Sequence, residues 1–123
     1  METKKTKNYI NGNCSELISL IMVKETMQLL SGKWKMQIVT FLLNNGKTRF
    51  MDLMRGVEGI SPRLLSRELQ ELQESKMVTR YVANTKLVTV EYELTEHGKT
   101  LKGLLLSVAD WGTAHLKYLA SKE

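Results

Sequence analysis

Several residue types that would announce a particular chemistry are scarce in this chain. It holds one cysteine, Cys14, among 123 residues, so no internal disulfide framework can form. It holds one proline and two phenylalanines. No apolar run reaches membrane-spanning length, and the first residues lack the apolar stretch of a secretion signal. We therefore expect a cytoplasmic protein without a membrane partner. No glycine-rich phosphate loop and no cysteine pair occurs. The two histidines, His97 and His115, fall on one expected helix about 27 Å apart by rise, so they cannot share a metal ion there. No nucleophile has an assembled base. We expect no catalytic residue, no metal and no cofactor, and an enzyme is the class least supported.

Positive charge is plentiful and unevenly placed. The formal net charge is +5; residues 1–67 carry eleven Lys/Arg against five Asp/Glu, whereas residues 68–123 carry seven against eight. Such asymmetry suits a nucleic-acid partner, although many small soluble proteins are also mildly basic.

Residues 1–13 read as a loose basic arm, and residues 14–123 as one domain. Apolar residues recur at helical spacing over Leu17–Leu30, which Ser31-Gly32 ends. A second helix runs from Trp34 to Leu43 and stops at Asn44-Asn45-Gly46. Thr48 is a candidate cap for a third, from Arg49 to about Val57, with Phe50, Leu53, Met54 and Val57 inward. Glu58-Gly59-Ile60 is a short turn. Ser61 then caps a helix reaching about Lys76, with Pro62 at its first position, where a missing N–H costs nothing. Leu65, Leu69 and Leu72 seat that helix on the core.

The period then changes from 3.6 to 2. Residues 78–94 read as a two-stranded hairpin with Asn84 and Thr85 at its tip. Thr95 caps a last helix over residues 96–120, about 37 Å long. This order predicts an α+β, mostly α, winged helix-turn-helix domain: residues 49–76 form the helix-turn-helix and residues 78–94 the wing. Additional N- and C-terminal helices complete it.

In such a unit the N-terminal part of the second helix enters the DNA major groove. Its outer face carries Pro62, Arg63, Ser66, Arg67 and Gln70. Arginine forks onto guanine or phosphate, and Ser66 and Gln70 offer hydrogen bonds. We expect Arg63, Ser66, Arg67 and Gln70 to read bases of double-stranded DNA. Lys47, Thr48, Arg49, Ser61, Pro62, Arg80 and Lys86 are expected on the backbone, with Lys33 and Lys35 as further candidates. Arg80 is alternatively a partner for Glu91. The acids Glu68, Glu71 and Glu74 come later in the helix, where they should point away from phosphates. A merely solvated face would carry similar residues, and a protein-interaction module on the same scaffold is a further alternative.

The last helix has two apolar stripes, broader than one seat on a small core requires. With the first helix it suggests a homodimer through Leu17, Leu20, Leu104, Val108, Trp111 and Leu116. Cys14, near Lys4, Lys5 and Lys7, is a candidate redox thiol; an ordinary surface cysteine is the other reading.

LSGKW (30–34), RF-x-x-L (49–53), GISPRLLSREL (59–69), MVTR (77–80) and VEYELTEHG (90–98) together resemble the HxlR-type winged helix-turn-helix regulators, over roughly residues 22–119. The resemblance implies a homodimeric, MarR-like transcriptional regulator. In it the Ser61 helix recognises DNA, the hairpin is the wing, and the terminal helices dimerise. Some members respond to a small-molecule or thiol-reactive effector through a cysteine twelve residues before the tryptophan of GKW. Met22 occupies that place here, and Cys14 lies eight residues earlier, so thiol sensing does not transfer. Lys76 stands where members often have a glycine, and Leu87-Val88 where they often have Pro-Pro.

Overall fold

The computed structural model describes residues 17–84 and 86–123, Asn84 by its backbone only. The chain divides into two units, Met1–Gly32 and Lys33–Glu123. The described part of the first is centred on helix α1, Leu20–Leu30. It starts later than the apolar pattern suggested, because Ser19 is extended and its hydroxyl accepts from the amide of Met22 at 3.2 Å. Leu17 and Ile18 therefore precede the helix.

The second unit begins with α2, Lys35–Asn45, which buries Ile38, Val39 and Leu42 and ends at Gly46, whose φ is 73°. Thr48 does not cap the next helix. Thr48–Arg49 form a short strand, β1, and the hydroxyl of Thr48 donates backwards to the Gly46 carbonyl. Helix α3 (Phe50–Gly56) starts with Arg49 at its cap position and no side-chain capping bond. The three-residue turn follows with Gly59 at φ 89°. Helix α4, Pro62–Glu74, opens as its sequence dictates: the Ser61 hydroxyl accepts from Leu64 N at 3.2 Å and Pro62 takes the first turn. Leu65, Leu69 and Leu72 are all buried. Each contributes roughly 1.5–3 kcal/mol of apolar burial.

The end of α4 sets the direction of everything after it. Met77 N bonds to Leu72 O and Lys76 N to Gln73 O, a closure that needs a left-handed residue between helix and strand. Lys76 adopts it, with φ 65°, at a place where glycine would be free of Cβ crowding. Strand β2 (Val78–Asn84) and strand β3 (Val88–Leu94) then pair from Val78↔Leu94 to Asn84↔Val88. The sheet is not the two-stranded ribbon expected. β1 joins the outer side of β3 through Thr48↔Tyr92 and Arg49↔Glu91, giving three antiparallel strands in the order β1-β3-β2.

The last helix is broken where a single rod was expected. Thr95 caps α5, Glu96–Lys99, and α6 runs separately over Lys102–Ser121. Between them Thr100 N bonds to His97 O and Leu101 N to Gly98 O, a tighter turn than α. Leu101 and Leu105 pack on the core formed by α2, α3, α4 and the base of the sheet, but α6 has no buried residue.

Gly98 lies against the backbone at the foot of the wing: a Cβ there would meet the Met77 carbonyl oxygen at 2.2 Å. That oxygen belongs to backbone and has little room to retreat. Gly98→Ala should therefore cost about 1–3 kcal/mol, as overpacking does, read as a lowered urea midpoint with an unchanged slope.

Candidate nucleic-acid interface

The exposed side of α4 carries Pro62, Arg63, Ser66, Arg67 and Gln70, opposite the buried leucines. The sheet adds one more basic group to this side. Arg80 is in register with Tyr92, and Tyr92 is in register with Thr48, so these three share a sheet face. Arg80 borders one recess with Ser66, Gln70 and Tyr92, and a second with Ser66, Arg49 and Arg55. Arg80 is thus gathered with two of the expected base readers. It is not opposite Glu91, whose partner across the ladder is Tyr81.

Arg55 was not singled out from the sequence. It lies in the last turn of α3, 3.1 Å from Asp52, and read alone that pair is an ordinary i,i+3 surface contact. Only the fold brings it to the same recess as Arg49 and Arg80.

Other expected backbone contacts are placed differently. Thr48 is 7% exposed, and its hydroxyl is occupied by the Gly46 carbonyl, so its side chain is withdrawn from any phosphate. The Lys47 ammonium lies 3.8 Å from the centre of the Tyr81 ring. Tyr81 alternates with Arg80 along β2, so Lys47 serves the other face of the sheet, where Tyr81 also donates to Glu93. Ser61 and Pro62 are exposed at the tip of α4, and Lys86 is exposed beside the wing tip. Thr85 and the side chain of Asn84 lie outside the described residues, as does Cys14.

Lys35 is also committed inside the fold. Its ammonium is 2.6 Å from Glu68 Oε2 and contacts Glu71 Oε2. Glu68 is buried, within the inward arc of α4 rather than merely far along it, and Glu71 is half-exposed. Desolvation pulls the Lys35 pKa down, but the bonds and charges of the two carboxylates outweigh it and raise the value above the usual 10.5. Hydrogen bonding to Lys35, and then its charge, lower the pKa of Glu71 below the usual 4.5. The signs fix the window. A raised lysine contributes below pH 10.5 and loses its contribution as pH climbs through its folded value. A lowered carboxylate contributes above pH 4.5 and loses it as pH falls through its folded value. The bridge is therefore intact throughout neutral pH.

Among the described residues no three His, Cys, Asp or Glu side chains stand together as metal ligands. His97 and His115 lie on separate helices, and His115 stacks on Trp111 with ring centres 4.8 Å apart. No helix among them is long and apolar enough to cross a membrane.

The pattern of the HxlR-like helix-turn-helix family matches residues 29–119. The chain belongs to this family. Similar proteins agree in kind. The HTH-type transcriptional regulator YtcD of Bacillus subtilis is 36% identical over 96 residues, covering 78% of this chain and 75% of YtcD. A MarR-family transcriptional regulator from Enterococcus faecalis V583 superimposes with a TM-score of 0.74 at 29% identity, covering 89% of this chain and 99% of that one. The redox regulator HypR in its reduced form gives 0.74 at 34%, covering 81% of this chain and 98% of HypR. The family member described here is a DNA-binding, winged helix-turn-helix transcriptional regulator, and its relatives are regulators rather than enzymes.

Replacing Lys35 by Met would strand a buried carboxylate at Glu68. Such a loss costs about 3 kcal/mol. The stability gap between wild type and Lys35→Met, measured by denaturant titration, should be flat near neutrality and narrow below pH 4.5 as Glu71 protonates and its bond to Lys35 is lost. A gap that widens in acid would contradict the bridge.

Proposed function

We propose that the protein is a homodimeric, sequence-specific reader of double-stranded DNA. The observation that carries this reading is the outer face of α4, where Arg63, Ser66, Arg67 and Gln70 are exposed while Arg80 of the wing borders Ser66 and Gln70. In this reading α4 lies in the major groove, and Arg63 and Arg67 fork onto base edges or phosphates. Arg49, Arg55, Arg80 and Lys86 meet the backbone, with Ser61 and Pro62 at the leading end. Asn84 and Thr85 belong to the wing-tip contact in the same scheme. Phosphate neutralisation supplies affinity and makes it salt-dependent.

Dimerisation through the terminal helices draws support from exposure. Leu17 and Leu20 are 76% and 80% exposed, and Trp111 and Leu116 are 69% and 67% exposed. Leu104 and Val108 are exposed beside them on α6. Apolar surface of this extent on two helices marks association sites on soluble proteins. A two-fold dimer would bind two half-sites about one helical turn apart.

Selection of duplexes from genomic DNA should return a dyad-symmetric motif. Arg63→Ala/Arg67→Ala should lose about 1–3 kcal/mol per arginine on that motif. Its thermal stability should stay within about 0.5 kcal/mol of wild type, as for exposed positions. Undiminished affinity would remove α4 from the interface.

A thiol-responsive version of the same regulator is a second reading, favoured by the likeness to the redox regulator HypR. Cys14 is the one cysteine available for it. A thiol oxidant should then release wild-type protein from DNA and leave Cys14→Ser bound. Equal release of both proteins would sink the thiol mechanism.

A further inference from the structure

Arg67 is followed on its own helix by two carboxylates, Glu68 at the next position and Glu71 at i+4, where an arginine and a glutamate readily pair. Yet the Arg67 side chain remains 68% exposed. Its nearest carboxylate oxygen, Glu68 Oε1, is 3.8 Å from Nη2, beyond hydrogen-bond length. Lys35 explains the difference. It reaches across from the start of α2 and takes Oε2 of Glu68 and Oε2 of Glu71 together, from a site where its own side chain is 15% exposed. A poorly hydrated ammonium holds these oxygens more strongly than a guanidinium standing in water. The charge of Arg67 still reaches Glu71, so the competition is real.

We propose that Lys35 is a positioning residue for DNA reading: by occupying Oε2 of Glu68 and of Glu71 it limits Arg67 to a loose ion pair with Glu68 Oε1 at 3.8 Å, with no hydrogen bond, and so leaves the guanidinium's N–H groups for DNA. The proposal rests on α4 being the reading helix. Lys35 itself touches no DNA. Lys35, Glu68 and Glu71 carry one positive and two negative charges, a local balance of −1 that Arg67 offsets only through its loose 3.8 Å pair with Glu68. Without Lys35 the balance is −2, and Arg67 is the nearest cation able to answer it. The helix would keep its place in the groove while one of its two arginines turned inward.

The experiment is a double-mutant cycle on a selected duplex, by fluorescence anisotropy across a salt series. Lys35→Met should weaken specific binding about tenfold and flatten the salt dependence by about one phosphate contact, as Arg67→Ala does. In an Arg67→Ala background the same change should have no further effect. Adding Glu71→Gln to Lys35→Met should restore most of the affinity and slope, since the i+4 competitor is gone. A purely structural role for Lys35 predicts the opposite on both counts: equal loss in the Arg67→Ala background and no rescue. Either result overturns the proposal, as does unaltered binding by a folded Lys35→Met protein. If Lys35→Met does not fold, Glu71→Gln alone decides, because it leaves the Lys35–Glu68 pair in place. It should tighten binding about twofold, and only when Arg67 is present; an equal or absent gain in the two backgrounds overturns the proposal. Failure of wild type to select any sequence, or of Arg67→Ala to weaken it, would instead dismiss the DNA-reading role of α4.

Discussion

The backbone oxygen of Met77 accepts from the amide of Thr95 at 2.9 Å, while the Met77 amide is bonded to Leu72 O at the end of α4. One residue thus ties the last turn of α4, the first residue pair of the wing and the start of α5. The Thr95 hydroxyl completes the knot, donating to Lys76 O at 2.7 Å and accepting from Gly98 N at 2.9 Å. Gly98 can come that close only because it lacks a Cβ. The left-handed Lys76 supplies the change of direction. The angle between α4 and the wing is not set by the hairpin itself, which is a ladder with one covalent end. It is set at this junction, and with it the place where Arg80 stands beside Ser66.

Charge on α4 is sorted by depth as well as by position. The arginines are outside and solvated, Glu68 is inside, and Glu71 lies at the margin. Lys35 carries the counter-charge from another helix, so α4 is held along its length by Leu65, Leu69 and Leu72 and, between them, by an ion bridge at Glu68 and Glu71. In the proposed reading α4 must keep its position while its outer side chains exchange water for phosphate. Burying the bridge serves this, because partly buried pairs are screened by salt far less than exposed ones.

The parts of the fold that were legible in the sequence are those governed by neighbours. Ser61 and Pro62 announce the start of α4 through local hydrogen bonding and a fixed φ, and Leu65, Leu69 and Leu72 announce its buried side through period alone. The wing followed from alternation at 78–94. What was not legible depends on partners distant in the chain. β1 is two residues long, too short to show a period, and exists because Thr48 meets Tyr92. The break between α5 and α6 falls at Thr100–Leu101, just where the apolar stripe begins, so no interruption of that stripe marks it. The candidate site divides in the same way. The faces of Arg63, Ser66, Arg67 and Gln70 follow from the leucine stripe. The contacts of Lys47 and Lys35 were not legible because Tyr81 and the Glu68–Glu71 pair are distant in the chain, and that of Thr48 because its turn back to Gly46 accompanies a strand too short to show a period. Arg55 was hidden by its plain pairing with Asp52.

Helix α6 is twenty residues long and buries none of them. Helices in water owe most of their persistence to an apolar face that is covered, and intrinsic propensity alone leaves them marginal. The amides beyond Leu105 should therefore open to exchange with solvent at far lower free energy than those of α4, whose leucines are sealed in the core. Whatever covers Trp111 and Leu116 would also close that gap in protection, and by mass action it would do so in proportion to its own abundance. The order of the C-terminal helix is in this sense a measure of concentration, carried by the same chain that displays α4.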